Sequence, residues 1–131
     1  MKFNKLIPEL AVSDFSKSLE FYKMLGFKVE YSRKDFAFLS FEGSQTMIQQ
    51  ANDAWKTAEL IKPYGRGINF QIEVKNVEKL LNLIKENNYP IAYQLKENEY
   101  EVKGEKTKQK EFLIKDLDGY LLRFCQEIKK Q

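Results

Sequence analysis

The chain has no histidine, a single cysteine and no long apolar run. The missing histidine removes the commonest metal ligand and the commonest general base, so any catalysis must rest on carboxylates, lysine, tyrosine or Cys125. That cysteine has no partner for an internal disulfide. Its neighbours Leu121, Leu122 and Phe124 mark a buried strand, where an unpaired thiol packs as a small hydrophobe rather than acting as a nucleophile. The apolar stretch Leu6 to Val12 is broken by Pro8 and Glu9, and it is too short for a signal core or a membrane helix. These features predict a cytoplasmic protein with no membrane partner. A gathered basic patch is also lacking. The net charge of +3 is spread among acidic residues, apart from Lys103 to Lys110 and the tail Lys129 and Lys130, which read as solvated faces. Without a recognition helix or interleaved stacking aromatics, nucleic acid is not an expected partner.

What is present, at 43% hydrophobic and 31% charged over 131 residues, is the composition of one globular domain. Residues 5–12 predict a strand. Ser13 or Asp14 then caps a helix over 14–25, with Phe15, Leu19, Tyr22 and Leu25 on one face and Gly26 as its left-handed exit. Three strands follow at 27–32, 35–41 and 46–51. Residues 52–66 read as a linker that holds the only tryptophan and allows a helical turn around Ala54 to Ile61. The order then returns: a strand over 67–74, a helix capped by Asn76 that ends near Asn87-Asn88, strands at 90–96 and 112–114, and a closing strand at 120–126. Residues 97–110 form a long polar hairpin or loop, and Asp116 to Gly119 a tight turn with Gly119 at positive φ.

The fold class is therefore α+β, with two βαβββ modules, one over 5–51 and one over 67–127, in a single domain spanning 1–131. Sliding the chain on itself by 62 residues sets Val12 on Val74, Asp14 on Asn76, Leu19 on Leu81 and Phe27 on Tyr89 without a gap, which points to an internal duplication.

Four stretches carry a resemblance: Pro8 to Asp14, Ser18 to Phe27, Ile68 to Asn76 and Lys115 to Phe124. Through them the chain resembles the vicinal oxygen chelate superfamily, which includes glyoxalase I, extradiol dioxygenases and bleomycin resistance proteins. The branch it resembles most is that of the bleomycin resistance proteins, on Pro8-Glu9-Leu10, Lys110 to Phe112 and Phe124 to Gln126. The resemblance implies two half-barrels forming a cup, in a dimer. It also implies metal ligands on the first and last strand of each module, at the positions held here by Ile7, Gln49, Asn69 and Arg123. Isoleucine has no lone pair and arginine brings a fixed positive charge, so this set predicts no metal and no cofactor.

The polar residues Gln49, Asn69 and Arg123, with Gln71 and Glu73 on the same strand face, then read either as an internal network (Arg123 with Glu73 or Glu9) or as a small-molecule pocket. Phe38, Trp55 and Tyr100 are candidate walls. One of Phe36 and Phe38 belongs to the core, Trp55 guards a pocket or a subunit contact, and Tyr100 is an arm or a lid. The function expected is metal-independent binding of a drug-like or aromatic ligand by a homodimer. Net basic charge and Arg123 favour an anionic or neutral ligand over cationic bleomycin. The alternative is a metal-independent enzyme of lyase or isomerase type.

Overall fold

Asp14 sits in extended backbone, and its side chain accepts a hydrogen bond from the Lys17 N–H, which starts α1, Phe15–Leu25. Gly26 ends the helix at φ 111, a left-handed geometry that returns its N–H to the Lys23 and Tyr22 carbonyls. Asn76 repeats this start for α2, Val77–Glu86, by accepting from the Lys79 N–H. Each helix has a further acceptor for its first N–H. Gln50 Oε1 takes the Phe15 N–H at 2.8 Å, and Gln126 Oε1 takes the Val77 N–H at 2.9 Å. Both glutamines lie on the last strand of their repeat, so the duplication is written into the hydrogen bonds as well as the sequence.

The computed structural model describes residues 2–128; Lys129 and Lys130 lie outside the described residues. The strands are β1 Glu9–Val12, β2 Lys28–Arg33, β3 Phe36–Phe41, β4 Ser44–Gln50, β5 Asn69–Glu73, β6 Tyr93–Val102, β7 Glu105–Lys115 and β8 Leu121–Ile128. They make two four-stranded sheets of the same order, β1-β4-β3-β2 and β5-β8-β7-β6, whose first pair is parallel and whose other pairs are antiparallel. Each repeat is therefore βαβββ. The chain divides into two compact units, Met1–Tyr64 with Asp116–Gly119, and Gly65–Lys115 with Tyr120–Gln131.

In the first unit, strand alternation sends Leu10, Val12, Ala37, Leu39 and Ile48 to the helix side, where they are buried with Phe21, Tyr22 and Leu25 of α1. Burying one such side chain contributes about 1.5–3 kcal/mol. The turn 116–119 belongs to this unit because its carboxylates are spent there. The Tyr22 hydroxyl donates to Asp116 Oδ2 at 2.6 Å, while Asp118 accepts from the Ser13 N–H and hydroxyl and pairs with Lys62 at 3.5 Å. Gly119 takes φ 102 as expected, and a Cβ there would fall 2.5 Å from Pro63 Cβ. The acidic motif is a clasp.

In the second unit, Ile72, Val74, Phe112, Ile114, Leu122 and Phe124 are buried with Val77, Leu80, Leu81 and Ile84 of α2.

Of the two readings open for residues 97–110, the hairpin holds: they form most of a continuous β6–β7 hairpin, turning at Lys103-Gly104. Its register sets Glu99 opposite Lys108 and Glu101 opposite Lys106, with a Glu99–Lys106 ion pair at 3.5 Å, so paired charges rather than apolar alternation mark these strands. The segment 54–61 forms bends and no helical turn, because Trp55 adopts φ 57, which ends any right-handed helix. No helix among the described residues is long and apolar enough to cross a membrane.

Candidate functional site

The face of the first sheet turned away from α1 carries Glu9 and Ala11 of β1, Met47 and Gln49 of β4, and Phe36 and Phe38 of β3, from strand alternation. Phe38 is fully packed: the Tyr31 ring stacks on it at 5.3 Å and Phe3 meets it edge-on at 5.2 Å. Phe36, also buried, holds the Arg33 guanidinium 4.2 Å above its ring. Both phenylalanines are thus packing residues, and it is Phe36 that lies beside Gln49 in the register.

Gln49 and Trp55 do come together. They line a pocket of about 250 Å³ with Glu9, Ala11, Gln50, Ala51, Asn52 and Ala54. The chain reaches Trp55 through an Asx turn, in which the Ala54 N–H donates to Asn52 Oδ1 at 2.7 Å. Trp55 itself is 87% exposed and sits at φ 57. A left-handed tryptophan is uncommon and costs conformational energy, and its indole is mostly in water rather than in the core. Among the described residues, Glu9 is the pocket's only ionisable wall.

On the second sheet, the face away from α2 carries Asn69, Gln71 and Glu73 of β5, all exposed, beside Leu121, Arg123 and Cys125 of β8. Arg123 stands opposite Gln71, and Asn69 opposite Leu121. Tyr100 and Arg123 are linked through a residue the sequence reading passed over, Glu111 of β7. Glu111 Oε1 accepts from the Tyr100 hydroxyl at 2.8 Å and from Asn98 Nδ2, and Oε2 lies 3.8 Å from Arg123 Nη1. The partner of Arg123 is therefore Glu111, not Glu73 or Glu9. The signal was present: Phe112 and Ile114 face the helix, so Glu111 must share the opposite face with Arg123. The Glu111 hydrogen bond and charge, with some burial, raise the Tyr100 pKa above its ordinary value. Cys125 is buried on this same face, opposite Glu111 in the register, and burial first, then the Glu73 and Glu111 charges, push its thiol pKa up. That keeps it protonated and unreactive.

The registers also correct the pairing of the repeats. β5 and β8 set Gln71 opposite Arg123, and β1 and β4 set Glu9, the counterpart of Gln71, opposite Met47. Met47, not Gln49, stands where Arg123 stands; Gln49 matches Cys125. Neither choice builds a divalent metal site. In the first unit Ile7 has no donor atom, Met47 offers a soft thioether and Gln49 a neutral amide; in the second, Asn69 is a neutral amide and Arg123 a cation already beside a carboxylate. Among the described residues, no three His, Cys, Asp or Glu side chains are grouped to hold a metal ion.

Two βαβββ repeats, each one helix on a four-stranded sheet of the same strand order, define the architectural class. The chain belongs to the Glyoxalase/Bleomycin resistance protein/Dioxygenase superfamily, whose family model matches residues 4–124. Among solved structures it is similar to a glyoxalase/bleomycin resistance protein/dioxygenase from Alicyclobacillus acidocaldarius, at 22% identity over 96% of this chain and 92% of that one, with a TM-score of 0.69. It is also similar to TioX from Micromonospora sp. ML1, at 16% identity over 98% and 99%, with a TM-score of 0.70. A superfamily member from Vibrio splendidus 12B01 is 34% identical over 92% and 95%, at a TM-score of 0.44. Comparison with the curated proteins finds no match.

Proposed function

We propose that this protein binds a small planar ligand without a metal ion, in the manner of a bleomycin resistance protein, and sequesters it rather than transforming it. The observation that carries this reading is Trp55, an exposed indole held at positive φ on the rim of a pocket floored by Gln49. Strain of this kind persists where the side chain's position is useful, and a flat ring stacked on the indole would bury apolar surface on both partners. The pocket's charge refines the ligand. Among the described residues Glu9 is its single ionisable group, and Arg123 already has a carboxylate beside it, so the local chemistry favours a neutral or cationic aromatic, against the inference from net charge. We expect the working form to be a cytoplasmic homodimer, which sedimentation at several concentrations measures.

Because Trp55 is the only tryptophan, its fluorescence reports the pocket directly. Titration with bleomycin, cationic 9-aminoacridine and anionic naphthoate should quench or shift the emission with the two cations and leave it unchanged with naphthoate. No saturable change with any of the three would overturn the reading; naphthoate binding best would overturn the charge argument.

A further inference from the structure

The second repeat carries an arm that the first does without. In the first repeat β2 and β3 are 6 residues each and turn at Lys34-Asp35, whereas β6 and β7 run to 10 and 11 residues. Phe36 pairs with Gln49 as Glu111 pairs with Cys125, so Phe36 and Glu111 are counterparts. The turn lies directly before Phe36, while Glu111 is preceded by the further hairpin of residues 97–110. The first repeat builds the same sheet and helix without this arm, so packing does not call for it.

The arm presents a long strand edge. β6 is outermost in its sheet, no described strand pairs with its outer side, and alternate residues there turn their N–H and C=O away from β7. Two devices that blunt such an edge are missing from 97–102: no proline stands there, and the bulge lies before it, between Tyr93 and Lys96. Charge is present, but of one sign. Glu97, Glu99 and Glu101 form a row opposite Lys110, Lys108 and Lys106 of β7, on the α2 side, where Lys110 reaches Glu78 at 2.6 Å. On the other side of β6, Tyr93, Tyr100 and Val102 are 60%, 38% and 53% exposed.

These two rows select the strand that fits. A second copy setting its β6 against this one brings glutamate opposite glutamate, which is repulsive. A strand with lysine or arginine at alternate positions sets a cation beside each glutamate and extends the hairpin's own order of charges. Its intervening residues, if β-branched, meet Tyr100 and Val102.

We propose that the outer edge of β6 takes an extended protein segment with lysine or arginine at every second position, added as one more strand to the second sheet. The edge uses no residue of the Trp55 pocket, so it stands or falls separately from the reading above. Protein-observed NMR of the full chain tests it with three capped peptides: Lys-Val-Lys-Val-Lys-Val-Lys, its block isomer Lys-Lys-Lys-Lys-Val-Val-Val, and Glu-Val-Glu-Val-Glu-Val-Glu. The alternating lysine peptide should shift the signals of 97–102 and slow amide exchange at alternate β6 residues. It should bind about tenfold more tightly than either control, the combined weight of three cross-strand charge pairs, and lose that margin in about 1 M salt. Equal binding of the block isomer, tighter binding of the glutamate peptide, or unmoved signals at 97–102 overturns the proposal. So does a concentration-dependent shift there in the protein alone, which gives the edge to a second copy. Glu97→Gln, Glu99→Gln and Glu101→Gln made together should abolish the preference for lysine over glutamate peptide. A folded variant that keeps it overturns the role given to the glutamates, and the wild-type outcomes decide the proposal whether or not the variant folds.

Discussion

Replacing Trp55 with glycine should leave the fold nearly as stable as before while weakening ligand binding, and the two effects can be sized in advance. A left-handed backbone costs a non-glycine residue about 1–2 kcal/mol, which glycine would recover. Against this, with 87% of Trp55 exposed, the indole's remaining contact is about 25 Å², worth roughly 0.6 kcal/mol. The added freedom of glycine in the unfolded chain costs a further amount of about 0.5–1 kcal/mol. The sum lies within about 1 kcal/mol of zero, a Tm change of less than about 5 °C. Stacking a planar ring on an aromatic side chain is worth about 1–3 kcal/mol where it has been measured with nucleobases, so affinity should fall roughly tenfold to a hundredfold. Since the variant has no tryptophan, urea unfolding should be followed by circular dichroism and binding of 9-aminoacridine by calorimetry. A stability loss above about 2 kcal/mol would show that the indole is held by packing, and the strain argument would fail.

Tyr22→Phe removes the hydroxyl that donates to buried Asp116 and should cost about 1.5–3 kcal/mol, read as a lower urea midpoint at unchanged m-value; a loss under about 0.5 kcal/mol would remove the clasp's importance. Gly119→Ala drives a Cβ to 2.5 Å from Pro63, whereas Gly43→Ala meets nothing within 4 Å at a similar φ, so thermal unfolding should show the first as clearly more damaging, by more than about 1 kcal/mol. The Tyr100 phenol is raised above its ordinary 10.0, chiefly by its hydrogen bond to Glu111, so the folded state holds that proton more tightly than the unfolded chain. Its stabilisation is complete below pH 10.0 and is lost as pH rises through the raised folded value; Tyr100→Phe should flatten that part of the stability-against-pH curve, and an unchanged slope refutes the assignment.

The helices were the most legible part of the chain, because caps and exits are chemical: Asp14, Asn76 and Gly26 do what their side chains or the lack of one dictate. The length of the β6 and β7 strands was harder to see than the hairpin itself, since their outer parts are held by cross-strand charges and main-chain bonds, which leave no apolar alternation to detect. Gln49 and Trp55 meet because the strand end and the linker are adjacent in sequence, whereas Tyr100 and Arg123 come together only through Glu111. The charge that joins the latter pair, Glu111, required the register of β7 against β8, and a register depends on how long the intervening hairpin is. Phe38 is packed under Tyr31 and Phe3, and because both faces of β3 are apolar, alternation alone does not separate a wall from a packed ring.

The two repeats differ in a way that separates folding constraint from freedom. Gln50 and Gln126 occupy matching places and do the same thing, each supplying an acceptor to the first turn of its helix from the helix side of the sheet. One residue away, on the other face, the counterparts diverge: Gln49 against Cys125, and two residues further back Met47 against Arg123. A period of two along a strand makes this possible, because alternate positions answer to different surroundings. The helix-side positions are fixed by capping and close packing, which a substitution would disturb in either repeat. The opposite face carries no such demand, and there one repeat has an exposed indole beside neutral amides while the other has a buried carboxylate beside a half-buried guanidinium. The duplicated scaffold therefore does not imply duplicated chemistry, and each open face has to be read from its own residues.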